Sequence, residues 1–317
     1  MATSWQLEIA TNISNSSPLD LYRLKTGGSL IRLAGGLSGA FLNLRLWHAL
    51  RSKSASKSLQ LMAALACSDA GLALAICSSG IYSLVREELL GGGEPSAVAC
   101  LLARSLPLHC FLASSACLLL ATAVDRMLFT RYPLFHFQLD DAVYVRRWSL
   151  LAAAVGLCSV AAGLATYRDP LLRPFCELAF IYKDVYRLGL LPVLHTSLVL
   201  GILACSVATL RSNAVTTGAA SHGGWLSEES LAVRRRFAHS QRLLLLLYVA
   251  SYLTLTLGAR VVFALGLVQR TAWMLEATRL LTSLGLLGNV LANFAVVYCR
   301  NQELRAKLKV VVCQYPC

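Results

Sequence analysis

Residues 59–84 read LQLMAALACSDAGLALAICSSGIYSL, a stretch whose one charged side chain is Asp69. About 20 apolar residues in helical conformation cross a bilayer, and this stretch is longer than that. Runs of the same kind recur at 29–50, 101–127, 148–167, 188–210, 243–268 and 274–298. They account for most of the 317 residues, which are 56% hydrophobic and 14% charged, with a mean hydropathy of +0.61. Soluble domains carry roughly 25% charged residues, so the chain is too apolar for a water-soluble enzyme. Disorder and collagen are excluded by the same composition. The pattern predicts an all-α membrane protein with seven transmembrane helices.

Charge sets the expected orientation. The chain is basic, with 29 Lys+Arg against 16 Asp+Glu. Segments 51–58, 125–147, 211–242 and 299–317 hold sixteen Lys/Arg and six acids, while the opposite segments and adjoining span ends hold twelve and nine. Positive charge collects on the cytoplasmic side of a membrane, which predicts the N-terminus outside and the C-terminus inside. The two N-x-[ST] sequons of the chain, at Asn12 and Asn15, lie in the N-terminal tail, where glycosylation requires an outer surface. That tail lacks the apolar core of a cleaved signal peptide. The expected division is a tail at 1–28, a bundle at 29–298 and a basic amphipathic tail at 299–317. The longest connection, 211–242, reads as a flexible loop leading into a basic helix start. In the first span Arg32 and Arg45 each lie close enough to an end to extend the charged head to the interface.

Polar residues inside the spans are the candidates for function. Asp69 in Leu65-Ala-Cys-Ser-Asp69 lies at bilayer depth, which is costly unless a partner or polar cavity compensates. Ser115 stands in the third span; Asn289 and Asn293, four apart, share a face of the seventh. Each alone reads as a helix–helix contact rather than a site; together they could instead coordinate a small hard cation, which prefers oxygen ligands.

The third span ends Ala123-Val-Asp125-Arg126-Met127 and continues to Tyr132-Pro133-Leu134; the seventh ends Asn289-Val-Leu-Ala-Asn293-Phe294-Ala-Val-Val-Tyr298-Cys-Arg300. An acid–Arg pair followed by Pro-Leu resembles the Asp-Arg-Tyr…Pro-Leu signature of rhodopsin-like G-protein-coupled receptors. Asp69 stands in the matching Leu-Ala-x-x-Asp context of their second helix, and the seventh-span ending is similar to their Asn-x-x-x-Asn-Pro-x-x-Tyr motif. The Asp-Arg…Arg-Tyr-Pro stretch, the basic entry to span six and the Asn293…Arg300…Glu303-x-Arg305 ending look like nematode Srsx-type serpentine chemoreceptors. The segment from Arg300 with the cysteines beyond it also resembles melanocortin-like receptors.

The resemblance implies a receptor that passes an extracellular chemical signal to a cytosolic heterotrimeric G protein. Arrestin and membrane lipids would be further partners, nucleic acid would not, and the localisation would be the plasma membrane. Asp125, Arg126, Asn293 and Tyr298 would form the G-protein switch, with Asp125 paired to Arg126. Asp69, Ser115, Asn289 and Asn293 would converge on an allosteric sodium ion, with no other cofactor. Cys100 and Cys176 would be disulfide-linked, and residues 299–312 would form an eighth helix with Cys313 and Cys317 as lipidation sites. Ligand contacts would come from Leu108, His109, Leu112, Glu177, Arg260 and Glu276. Leu108 stands where amine receptors carry Asp, and Leu287 where opsins carry Lys. The chain departs from the pattern at Met127, at Ala40 (where the first helix usually has Asn, with Asn43 one turn on), and at Phe294 in place of Pro. No proline occurs between Pro192 and Pro316, so span six lacks the usual kink.

Other chemistries find no support. There is no Gly-rich phosphate loop, no His-Glu-x-x-His and no Cys-x-x-Cys, and the six histidines are scattered. Two further readings on the same topology are a non-signalling decoy or trafficking partner and an ion-conducting protein; no inverted repeat supports the latter.

Overall fold

The computed structural model describes residues 18–51, 56–86, 101–166, 190–223 and 272–300, and no strand occurs among them. Their helices are α1 (Pro18–Leu50), α2 (Lys57–Leu84), α3 (Leu106–Arg131), α4 (Pro133–Gln138), α5 (Asp141–Ala165), α6 (Leu191–Gly223) and α7 (Ala272–Arg300). A π-helical turn, Leu101–Ser105, leads into α3. The predicted sixth span and the segment after Arg300 lie outside the described residues.

Four stretches are long and apolar enough to cross a membrane: Lys57–Leu84, Leu101–Arg131, Asp141–Ala165 and Val193–Ser212; α7 adds a shorter apolar stretch, Leu280–Ala295. Three helices overrun their predicted bounds by seven residues or more, and one of them is α5, which begins at Asp141 rather than 148. α1 begins at Pro18 rather than 29, and α6 continues to Gly223 through what reads as loop after 210. Hydropathy marks where lipid contact ends, whereas backbone hydrogen bonding continues through polar residues that tolerate a helix.

Local chemistry sets the sharper breaks. Pro133 disfavours helical backbone at the residue before it, and Tyr132 accordingly leaves the helix at φ −133°, ψ 62°, ending α3. The same Pro133 opens α4, where a missing N–H costs nothing. Asp140 caps α5 by accepting the Val143 N–H at 2.8 Å.

α3 is the axis of the bundle and packs against α2, α5 and α6, while α1 lies against α2 and α7. The apolar core divides accordingly. Ala40, Leu72, Ala73, Ile76, Leu286, Leu287 and Val290 join α1, α2 and α7. Leu65, Cys117, Leu118, Leu119, Ala123, Ala152 and Ile202 join α2, α3, α5 and α6. The α1–α2 contact is close because Gly36 brings its backbone against that of α2. A Cβ there would lie 2.7 Å from the Ala73 carbonyl and 2.8 Å from the Cys77 nitrogen. Small residues at such seams permit the tight approach on which helix association in lipid depends.

Arg32 corrects an expectation. Its side chain is buried at 4% exposure and donates to Ser29 Oγ at 2.9 Å, so it turns into the bundle rather than toward an interface. α1 reaches back to Pro18 and places Arg32 four turns inside the helix instead of near its end. Arg45 lies over the Phe41 ring at 5.1 Å.

Candidate polar switch sites

Two buried carboxylates organise the polar interior, both fully enclosed: Asp69 on α2 and Asp125 on α3. They lie at different depths. Ser115, the α3 partner of Asp69, is ten residues from Asp125, which is about 15 Å along a helix axis.

Asp69 draws three helices together. Ser115 Oγ of α3 donates to its Oδ1 at 2.5 Å, and Asn293 Nδ2 of α7 donates to its Oδ2 at 2.9 Å. A carboxylate taken out of water needs such donors. Asn289 is buried on α7 but makes no hydrogen bond to Asp69, so three of the four expected side chains meet, not four. Asn289 and Asn293 share a face without pointing at one atom, because four residues on a helix still separate side chains by a full turn. One turn away, Asn43 of α1 is completely buried and donates Nδ2 to Gly39 O at 3.0 Å and to Val290 O at 3.4 Å. Asn43 is therefore the first-helix amide that meets α7. Ala40 belongs to the apolar core instead.

Asp125 has partners that the sequence reading did not name. Its Oδ1 lies 2.9 Å from Nε2 of His136 on α4, and its Oδ2 accepts a hydrogen bond from Ser58 Oγ at the start of α2. A carboxylate oxygen accepts, so the His136 contact is a hydrogen bond with Nε2–H as the donor, and His136 Nδ1 has no hydrogen-bond partner among the described residues. The expected Asp125–Arg126 pair is thus replaced by a clamp of α3 on α2 and α4. Neighbouring residues on a helix point about 100° apart, so a pair adjacent in sequence is poorly placed to meet. Arg126 is buried, at 5% exposure.

Beside this clamp, Lys57 Nζ donates to the carbonyls of His136 at 2.6 Å and Leu139 at 3.0 Å, and pairs with Asp141 at 2.9 Å. Lys57, Ser58 and His136 were all absent from the sequence candidates. Their sequence signal was slight: a Lys-Ser pair opening an apolar helix, and a histidine three residues after a helix-starting proline.

The other expected positions fall as follows. Leu108 and Leu112 pack on the α1–α2–α7 core together with Phe111, and Leu287 is part of that core. His109 is buried on α3 at 3% exposure. Tyr298 is half-buried and stacks on Phe294, with ring centroids 5.7 Å apart and planes at 14°. Asn12, Asn15, Cys100, Cys176, Glu177, Arg260, Cys313 and Cys317 lie outside the described residues, as does the side chain of Glu276.

A central third helix carrying Asp125-Arg126 and a second-helix carboxylate bonded to α3 and α7 describe a serpentine receptor core. Residues 47–312 match the family described as serpentine-type seven-transmembrane GPCR chemoreceptor Srsx. The chain belongs to this family. The Srsx match spans every helix from α2 onward, both carboxylates and all their hydrogen-bonded partners, and it begins just after Asn43. The chain is accordingly an all-α, multi-pass membrane protein of a receptor family, not of an enzyme family. No curated protein matches this Srsx chain.

Proposed function

We propose that this Srsx chain is a receptor that transmits an extracellular chemical signal to a cytosolic heterotrimeric G protein. It would sit in the plasma membrane with the N-terminus outside, the orientation that the basic segments and the Asn12 and Asn15 sequons favour. The observation that carries the reading is the Asp69 hub. One carboxylate holds α2, α3 and α7 by hydrogen bonds that a shift of α7 would have to break. Such bonds make a bistable element, which a ligand at one end can bias to change the other.

Asp69 and Ser115 bring carboxylate and hydroxyl oxygens together, and a turned-over Asn293 amide would add a third oxygen, a donor set that suits a small hard cation. Sodium held there would neutralise the buried carboxylate and favour the arrangement in which α7 stays against α2. The ligand would be a small organic or lipid-like molecule, or a short peptide with an acidic group. Leu108 offers no charge to an amine, and Arg260, two turns below the outer end of the predicted sixth span, either pairs with Glu276 or Glu177 as a structural tie or receives the acidic group of a ligand.

The test is G-protein activation in cells expressing this chain or its Arg126→Ala variant at equal surface level. Basal or ligand-driven activation that falls in the variant supports the reading. Identical responses across G-protein classes and a broad ligand panel would favour a non-signalling protein on the same fold.

A further inference from the structure

The short helix α4 cannot stand by itself. Six residues make fewer than two turns, and isolated helices below about 12 residues are marginal even with favourable sequences. Its apolar footing is slight, an edge contact of Phe137 with Phe129 at 6.2 Å between ring centroids. Leu134 is 80% exposed and Phe137 72%, with Phe135 exposed between them, and His136 is the buried side chain of the helix. Something other than burial of α4's own apolar groups must hold it.

Lys57 is built for that task. An ammonium has three N–H donors, and Lys57 has three acceptors around it: His136 O, Leu139 O and the Asp141 carboxylate, all within 3.0 Å. Two of these are carbonyls at the C-terminal end of α4, the negative end of the helix, where a cation is favoured. The third belongs to the first residue of α5. Lys57 is itself buried, at 6% exposure, so its two bonds to carbonyls are largely shielded from competing water and salt, while Asp141 is half-exposed. It is also the first residue of α2, and its backbone is therefore tied to the bundle. One side chain thus fastens α4 to α2 and α5, independently of the Asp125–His136 bond that fastens it to α3.

We propose that Lys57 is a positioning residue that seats α4, and with it the exposed Leu134, Phe135 and Phe137, for productive contact with the G protein. The coupling part of this inference rests on the function proposed above; the seating part does not. Lys57 touches no signalling partner in this scheme. It acts through the carbonyls of His136 and Leu139.

Two measurements on the full-length receptor in lipid nanodiscs separate the parts. The first is amide hydrogen exchange over residues 134–139, where the His136 and Leu139 amides donate within α4 to Tyr132 O and His136 O. Lys57→Met should speed exchange there by on the order of tenfold, as expected when charge-assisted bonds are lost, and Lys57→Arg should restore slow exchange. The second is basal nucleotide loading of purified heterotrimeric G proteins per receptor. It should fall severalfold in Lys57→Met and recover in Lys57→Arg. Exchange unchanged by Lys57→Met would overturn the seating role. Faster exchange with unaltered nucleotide loading would overturn the positioning role in coupling. A wild type that loads no G protein, together with faster exchange in Lys57→Met, would support the seating and overturn the coupling on which the rest depends. Should Lys57→Met fail to reach the membrane, Lys57→Gln keeps a polar side chain but removes the charged three-donor group on those carbonyls, and exchange at 134–139 must still rise. An unchanged value there overturns the proposal.

Discussion

Asn293 Nδ2 lies 2.9 Å from Asp69 Oδ2, joining two residues 224 positions apart in the chain. The bond ties α7 to α2 at the depth where Ser115 of α3 takes the other carboxylate oxygen. α7 is held a second time close by, where Asn43 of α1 donates to Val290 O. The seventh helix is thus fixed by two amides, one on each side of its interface.

This geometry separates two asparagines that look alike in sequence. Asn293→Ala removes a donor from a fully buried carboxylate and should cost about 1–3 kcal/mol, the range for a buried group left unsatisfied. Asn289→Ala, which breaks no bond to Asp69, should cost clearly less. Thermal unfolding of both variants in detergent reads the difference. Equal losses would show that burial on α7, not the bond to Asp69, is what matters.

Sodium binding at Asp69 would appear as a cation-specific gain in stability. Exchanging a bulky organic chloride salt for NaCl at constant ionic strength should raise the melting temperature, because a ligand that binds the folded state stabilises it by mass action. Asp69→Asn should abolish that increment. A rise of the same size in the variant would place the salt effect elsewhere.

The Asp125 clamp and the Lys57 tether act on different joints. Lys57 links α2, α4 and α5, whereas Asp125 holds α3 to Ser58 and His136. Asp125→Asn keeps one oxygen, enough to accept from only one of Ser58 Oγ and His136 Nε2, and removes the charge, which roughly halves the strength of such a bond. α3 is then released more readily while α4 stays seated. Basal G-protein activation should rise at equal surface expression, and a reporter showing unchanged or lower basal activity would contradict it.

Two helix glycines offer a paired test of packing. Gly36→Ala places a Cβ against main-chain atoms of Ala73 and Cys77 that cannot step aside, so α1 and α2 must part. Overpacking of this kind costs about 1–3 kcal/mol. A Cβ at Gly288 meets nothing within 4 Å. Gly288→Ala should therefore be neutral or stabilising, by up to about 1 kcal/mol from helix propensity. Surface expression and melting temperature of the two variants should move apart.

The positions of the membrane helices were legible in the sequence because the bilayer imposes one criterion, about 20 apolar residues, on every span. α2, α3 and α7 begin or end within a few residues of the predicted bounds. Asp69, Ser115 and Asn293 stood out for the same reason, since a polar group in an apolar run is conspicuous whatever surrounds it. α1, α5 and α6 outran their predicted ends because lipid contact and helical hydrogen bonding stop at different residues.

What hydropathy cannot carry is rotation and partnership. Whether Arg32 turns outward or inward, which asparagine reaches Asp69, and whether Ala40 or Asn43 meets α7 depend on how each helix is turned about its axis. That rotation comes from contacts with residues distant in the chain. Asp125 shows the same limit most plainly. Its sequence neighbour Arg126 was the obvious partner, yet Ser58, 67 residues away, and His136 on a separate short helix hold the carboxylate. The sequence alone determined where the apolar runs lie and which buried atoms require partners, because both follow from the cost of polar groups in hydrocarbon. Only the tertiary structure decided which atoms those partners are, because hydrogen bonds need contact and contact is made by packing.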